Sequence, residues 1–170
     1  MSHLKIFIEL TRLNKPIGFM LLFWPCAWGL AIALKENQNL DLFKYYACLF
    51  FFGSVLMRSA GCIFNDIVDK DFDKKVSRTK KRPIASGEIS VLASSIYVFT
   101  LCLIAFFILI QFNFLTICLG LGSMLLAFTY PFMKRITYWP QLFLGITFNW
   151  GIIMAWAAIN DNITLEIFSL

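Results

Sequence analysis

The chain has 170 residues, of which 59% are hydrophobic, 17% aromatic and 15% charged, with 19 Phe and a mean hydropathy of +0.74. Soluble domains carry roughly a quarter charged residues, so this composition excludes an ordinary soluble fold and makes the lipid bilayer the first partner. The net charge of +5 calls for no nucleic acid, because loop cations that orient membrane spans and attract anionic head groups account for it.

Five apolar runs follow in chain order, at 17–34, 42–64, 91–110, 114–132 and 142–159, each near the roughly 20 residues that a helix needs to cross a bilayer. The pattern predicts an all-α, polytopic transmembrane helical bundle forming a single domain over 1–170, with five complete spans and the start of a sixth at Ile163. In the first run, Trp24, Pro25 and Trp28 suit a kinked, packed span. That run is longer than a signal-peptide core, despite the small-residue sequence Ala31-Ile32-Ala33. Twelve of the 15 Lys and Arg residues lie before the first span, between the second and third, or between the fourth and fifth. The opposite loops hold only Lys35 and Lys44, so the positive-inside rule puts the N-terminus and the 65–82 segment on the cytoplasmic side.

Cys26, Cys48, Cys62, Cys102 and Cys118 sit singly in apolar segments. They form neither a C-x-x-C pair nor a zinc pattern and read as packing residues. His3 is the single histidine, which leaves no candidate for a His-dependent triad or a haem ligand.

The chemistry concentrates after the second span, in Asn65-Asp66-Ile67-Val68-Asp69-Lys70-Asp71-Phe72-Asp73. At about 100° per residue, Asn65, Asp69, Asp73 and Asp66 fall near 0°, 40°, 80° and 100° on one helical face, while Asp71 falls near 240° and is excluded. Carboxylates stacked on adjacent turns repel one another unless a cation neutralises them. Hard oxygen donors without neighbouring Cys or His favour Mg²⁺, which is usually shared with substrate phosphates. The bland alternative is a solvated loop whose acids are balanced by adjacent lysines.

Arg58 is the one basic residue well inside a span, and an ionisable group in hydrocarbon costs several kcal/mol unless it faces a cavity or a partner. It falls about 20° from the face of Asn65 and roughly 10 Å deeper, so it is expected to point into the same cavity. There it suits a planar carboxylate gripped bidentately, or else forms an internal ion pair with Asp66. Arg78 and Arg82 stand at i and i+4. If that loop is helical they form a basic claw for diphosphate oxygens; if it is extended they are orientation charges. Pro83 and Gly87 punctuate the segment as a fixed loop. Tyr130-Pro131-Phe132-Met133-Lys134-Arg135 ends the fourth span and brings two more cations to the same side.

These stretches together resemble the intramembrane aromatic prenyltransferases. The resemblance is carried by Arg12-Leu13-Asn14-Lys15-Pro16-Ile17-Gly18 with Trp24-Pro25, by Arg58-Ser59-Ala60-Gly61-Cys62 running into N-D-x-x-D-x-x-x-D at 65–73, by Arg78-Thr79 with Arg82-Pro83, and by Tyr130-Pro131 through Lys134-Arg135 to Pro140-Gln141. It implies the N-terminal portion of a nine-helix bundle in an inner membrane of bacterial type, a polyprenyl diphosphate threaded through a lipid-facing opening, and transfer of its polyprenyl group to the ring of 4-hydroxybenzoate for ubiquinone biosynthesis. By the same resemblance Asn65, Asp66, Asp69 and Asp73 hold Mg²⁺ and the diphosphate. Asp66, Asp69 and Asp73 are then the catalytic acids. Arg78 and Arg82 contact phosphate, and Arg58 takes the benzoate carboxylate. The family's second acidic motif, D-x-x-x-D on a later cytoplasmic loop, lies beyond these 170 residues. A separate chain supplying the remaining helices is one expectation, and a non-catalytic remnant is the other.

Such an enzyme stabilises the departing diphosphate with metal and arginine charge and shelters an allylic cation from water among Phe, Trp and Met side chains. Two further alternatives stand beside it. One is a related prenyltransferase with a haem, homogentisate or naphthoate acceptor. The other is a divalent-cation transport protein, which would carry mid-span acids on several helices; here the mid-span polar residues are chiefly Arg58 and Asn149.

Overall fold

The computed structural model describes residues 3–37 and 39–164, the side chains of residues 3, 36, 37, 134 and 135 excepted. The described residues form α1 (His3–Thr11), α2 (Ile17–Asn37), α3 (Leu40–Val68), α4 (Lys70–Asp73), α5 (Pro83–Ser86), α6 (Val91–Leu109), α7 (Phe114–Ile136) and α8 (Pro140–Asn160). Five of them, α2, α3, α6, α7 and α8, are long and apolar enough to cross a membrane. The expected start of a sixth span runs into 165–170, outside the described residues, as do the side chains of Lys134 and Arg135.

Polar residues at the ends of the apolar runs set the helix starts. The side chains of Asn39, Ser90 and Asn113 accept hydrogen bonds from the backbone N–H groups of Leu42, Ala93 and Thr116 at 3.0, 3.1 and 2.8 Å, each satisfying an amide that the first helical turn leaves free. Pro83 and Pro140 occupy first-turn positions, where the missing N–H costs nothing. Pro25 and Pro131 lie inside α2 and α7. The first span is packed, lying against α3 and α8, although Trp24 and Trp28 themselves are exposed.

Around the bundle the spans run α6, α3, α2, α8, α7, and α7 closes back onto α3 and α6. The closest approach is between α2 and α8, where a Cβ on Gly29 would lie 2.5 Å from the Ile152 carbonyl oxygen and one on Gly151 would lie 2.5 Å from Cys26 Sγ. Small residues let backbones meet where no hydrophobic drive separates helix from lipid. Asn113 also donates from Nδ2 to the Ala157 carbonyl at 2.7 Å, and Trp150 Nε1 donates to the Leu119 carbonyl at 3.0 Å, so α7 and α8 are tied at two heights. Phe99, Phe114 and Leu125 are exposed on the outer surface, as lipid-facing residues should be.

The segments that carry the charged motifs are anchored by a small core at one end of the bundle. Ile6 and Leu10 of α1, Ala60 and Ile63 of α3, Ile84 of α5 and Leu101 of α6 pack together there. α1 precedes the first span and was not among the expected elements.

Candidate functional site

α3 delivers Arg58, Asn65 and Asp66 on one helix and ends at Val68. Asp69 adopts φ −89°, ψ 4°, and a single turn, α4, then carries Asp73. One uninterrupted helix through Asp73 was the basis of the wheel, and the structure corrects it: the helix breaks at Asp69. The break is shallow, because the amides of Asp69 and Asp73 still bond the carbonyls of Asn65 and Asp69 at 2.9 and 2.8 Å. The four residues therefore stay adjacent but divide into two pairs. Asn65 Nδ2 donates to Asp69 Oδ2 at 3.1 Å. Asp66 and Asp73, both buried, meet through a shared arginine.

That arginine is Arg82, whose Nη1 donates to Asp66 Oδ1 at 3.0 Å and to Asp73 Oδ2 at 2.7 Å. A helical claw of Arg78 and Arg82 does not form, since residues 74–82 are turns and Arg82 is extended at φ −63°, ψ 143°. Its position comes from both flanks. Buried Thr79 donates from Oγ1 to the Asp73 carbonyl at 3.1 Å, and buried Pro83 and Ile84 fix the following turn in the core. Gly87 closes that turn at φ 83°, a left-handed conformation natural only to glycine. Asp71 points away, its side chain 84% exposed and 3.4 Å from Lys74 Nζ.

The alternative ion pair between Arg58 and Asp66 is also corrected. Asp66 takes its second cation from Arg12, whose Nη2 donates to Oδ1 at 2.7 Å. Arg12 lies at the end of α1 with φ 54°, a strained conformation for a residue with a side chain. Sequence reading used Arg12 only as an orientation charge and as part of a motif. Its signal was available in the apolar spacing of Ile6 and Leu10, which predicts a short helix ending just before it.

A cavity of about 770 Å³ opens inside the ring of spans and is lined by residues from all five. Leu21, Met57, Phe106, Met124, Phe148 and Met154 give it apolar walls, while Arg12, Asn65 and Arg82 stand at one end and Arg58 deeper along the wall. Arg58 lies over the Phe148 ring, 5.9 Å from its centroid. It also lies beside Gly18, where a Cβ would come within 2.9 Å of its Nε. The absence of a side chain at residue 18 is what lets the guanidinium lie there. Asp69 and Asp73 do not line the cavity.

The donor set suits a hard divalent cation in kind, being amide and carboxylate oxygens. Among the described residues, however, no three acidic, thiol or imidazole side chains converge on one point, because arginine nitrogens hold Asp66 and Asp73. Mg²⁺ needs only one or two protein carboxylates alongside water and phosphate; Asn65 lines the cavity end, and the carboxylates nearest to it are Asp69, its hydrogen-bond partner, and the neighbouring Asp66, both outside the lining.

Comparison with known proteins bears on the family and the fold. The sequence pattern of the UbiA prenyltransferase family matches residues 22–170. The human mitochondrial 4-hydroxybenzoate polyprenyltransferase is 48% identical over 94% of this chain and 42% of its own length. The Arabidopsis thaliana protein of the same name is 47% identical over 95% of this chain and 39% of its own. A UbiA homologue from Aeropyrum pernix K1, solved without ligand, superposes with a TM-score of 0.71 at 26% identity over 88% of this chain and 54% of its own. A homologue from Archaeoglobus fulgidus, solved with DMAPP and Mg²⁺, shares the fold with a TM-score of 0.72 at 16% identity, over 96% of this chain and 57% of its own. The chain thus spans about two-fifths of the length of the curated relatives it matches.

Proposed function

The chain belongs to the UbiA prenyltransferase family, and from that premise we propose that it is the donor-binding half of a membrane enzyme that transfers a polyprenyl group from polyprenyl diphosphate to the ring of 4-hydroxybenzoate. The observation that carries this reading is the apolar cavity of about 770 Å³, which has Arg12, Arg82 and Asn65 at one end and Arg58 within it, with Asp66 paired to both arginines just outside. Additional spans, from the same polypeptide or a separate chain, complete the enzyme in proportion to the relatives' length. The excess of cations on one side supports a cytoplasmic location for the acidic segment in a bacterial inner membrane, or the matrix side if the protein is mitochondrial like the named relatives.

Asn65, Asp66, Asp69 and Asp73 would hold Mg²⁺, which neutralises the diphosphate as it departs. Arg82, with Arg78 beside it, contributes fixed positive charge at the same end, preorganised by Thr79 and Pro83. The cavity walls exclude water from the allylic cation, and the faces of Phe106 and Phe148 stabilise it. Arg58 grips the acceptor's carboxylate with two parallel N–H donors, so the ring carbon beside the phenolic oxygen faces the cation and attacks. Loss of that carbon's proton restores aromaticity without a strong base. The need for a carboxylate at Arg58 favours 4-hydroxybenzoate over acceptors that lack one.

The test is prenylation of radiolabelled 4-hydroxybenzoate in membranes containing this chain and its completing spans, with and without Mg²⁺. Asp69→Ala and Asp73→Ala should each lower turnover by at least 100-fold, on the order of what removing one preorganised stabilising group costs. Wild-type turnover from either variant rejects the assignment.

A further inference from the structure

The loop between α4 and α5 presents its charge outward. Lys74, Lys75, Lys80 and Lys81 are all exposed, and between residues 74 and 81 the sequence adds another cation, Arg78, and no acid. Thr79 Oγ1 donates to the Asp73 carbonyl at 3.1 Å, and the amides of Thr79 and Lys80 both bond the Val76 carbonyl, at 3.0 and 2.9 Å. These bonds close residues 73–79 into a compact turn, so the lysine pair that enters it and the pair that leaves it are held together. Lys74 has Asp71 at 3.4 Å, with both side chains exposed. Among the described residues, Lys75, Lys80 and Lys81 take part in no ion pair. Like charges gathered in this way repel one another until an anion neutralises them.

The four lysines line neither the chamber nor the cleft of about 1120 Å³ beside α1, so they offer an open surface rather than a pocket for a small ligand. An open basic surface suits an extended layer of negative charge, met by several weak contacts at once. The loop also stands where such a layer lies. It leads from α3 to α6, which are neighbours in the ring, and α6 turns Leu92, Ile96 and Phe99, at i, i+4 and i+7, outward with exposures of 73%, 57% and 68%. That lipid-facing row begins in the first turn of α6, which sets the head-group level beside the loop. Val76, 49% exposed, places an apolar side chain between the two lysine pairs, and basic and apolar groups together are the composition of segments that lie on a membrane surface.

We propose that the 74–81 loop docks on anionic phospholipid, with Lys74, Lys75, Lys80 and Lys81 resting on the phosphates of the adjoining leaflet. Each Lys close to such a surface is worth about fivefold in binding, and the attraction fades within a Debye length. On its buried side the same loop ties Thr79 to Asp73 and Asp73 to Arg82, so lipid contact outside steadies Arg82 inside. The lipid contact does not depend on what the chamber binds.

The experiment uses the full chain, its native cysteines replaced and a fluorophore attached through Ser77→Cys, in phosphatidylcholine nanodiscs that carry lipid spin-labelled high on its acyl chain. Labelled phosphatidylglycerol should quench roughly fivefold more than labelled phosphatidylcholine, and high salt should shrink the difference. Lys74→Gln, Lys75→Gln, Lys80→Gln and Lys81→Gln together should bring the two lipids level, and either pair alone should go part of the way. Lys35→Gln with Lys44→Gln, in the opposite loop, should change nothing. Exchange of the Thr79 and Lys80 amide hydrogens should slow when phosphatidylglycerol is present, and unchanged exchange overturns the coupling to Arg82. Equal quenching by both lipids in the unsubstituted loop, or a preference that survives removal of the lysines, overturns the docking. Loss of the preference to inorganic diphosphate at matched ionic strength does so as well, because it shows a site for free phosphate. The paired variants and the salt titration keep the test decisive if the fourfold variant does not fold.

Discussion

Arg82 shows how one side chain joins two separated stretches of sequence. Its guanidinium contacts Asp66 and Asp73 while Arg12 holds Asp66 from the other side, so each buried carboxylate has a cation within hydrogen-bond distance. Replacing Arg82 with Gln leaves Asp73 buried without its ion pair, whereas Asp66 keeps Arg12. Removing one partner of a buried pair costs about 3–5 kcal/mol, reduced here because the Arg82 side chain is 29% exposed. Arg82→Gln should therefore lower the thermal unfolding midpoint in detergent by several degrees, and Arg78→Gln, at an exposed position, should leave it unchanged. Equal midpoints for the two variants would reject the structural share of Arg82. Sequence spacing identified Asn65, Asp66, Asp69 and Asp73 as neighbours but not how they pair, since pairing depends on where residues 12 and 82 return in space.

The elements divide between spans that wall the chamber and short pieces that position charge. α2 and α8 meet through Gly29 and Gly151, and the space at Gly151 is filled by Cys26. Gly151→Val should force the helices apart at a cost of about 1–3 kcal/mol, read as a lower unfolding midpoint. Gly145→Val, on the same helix where an added Cβ meets nothing within 4 Å, should be nearly neutral. If both behave alike, close α2–α8 packing does not define the chamber. α5 has only four residues, yet its buried Pro83 and Ile84 set the direction of Arg82. The five long apolar runs were legible in the sequence because hydropathy is local. α1 was legible only in the i, i+4 spacing of Ile6 and Leu10, and its burial depends on α3, α5 and α6.

For the whole molecule, the ring of spans places charge at one end and hydrocarbon around the rest. Twelve of 15 cations share the loops of one side, which predicts that a cysteine placed at Ser77 in a background with all five native cysteines replaced reacts with a membrane-impermeant maleimide only from the cytoplasmic face. A cysteine placed at Gln111 should react only from the opposite face. The same accessibility at both positions would reject the orientation.

Composition and spacing alone determined that the chain lives in a bilayer, crosses it as helices and collects oxygen donors between residues 65 and 73, and its motifs resemble those of the intramembrane prenyltransferases. All of these follow from properties carried by residues near one another in sequence. The tertiary structure decided that Arg12 and Arg82, rather than Arg58, face Asp66, that the Arg78–Arg82 segment is turned instead of helical, and that Arg58 lines the apolar chamber over the Phe148 ring. Those outcomes depend on which helices become neighbours, and in a membrane that is set by close packing at small residues and by where buried charges find partners, neither of which a local pattern encodes.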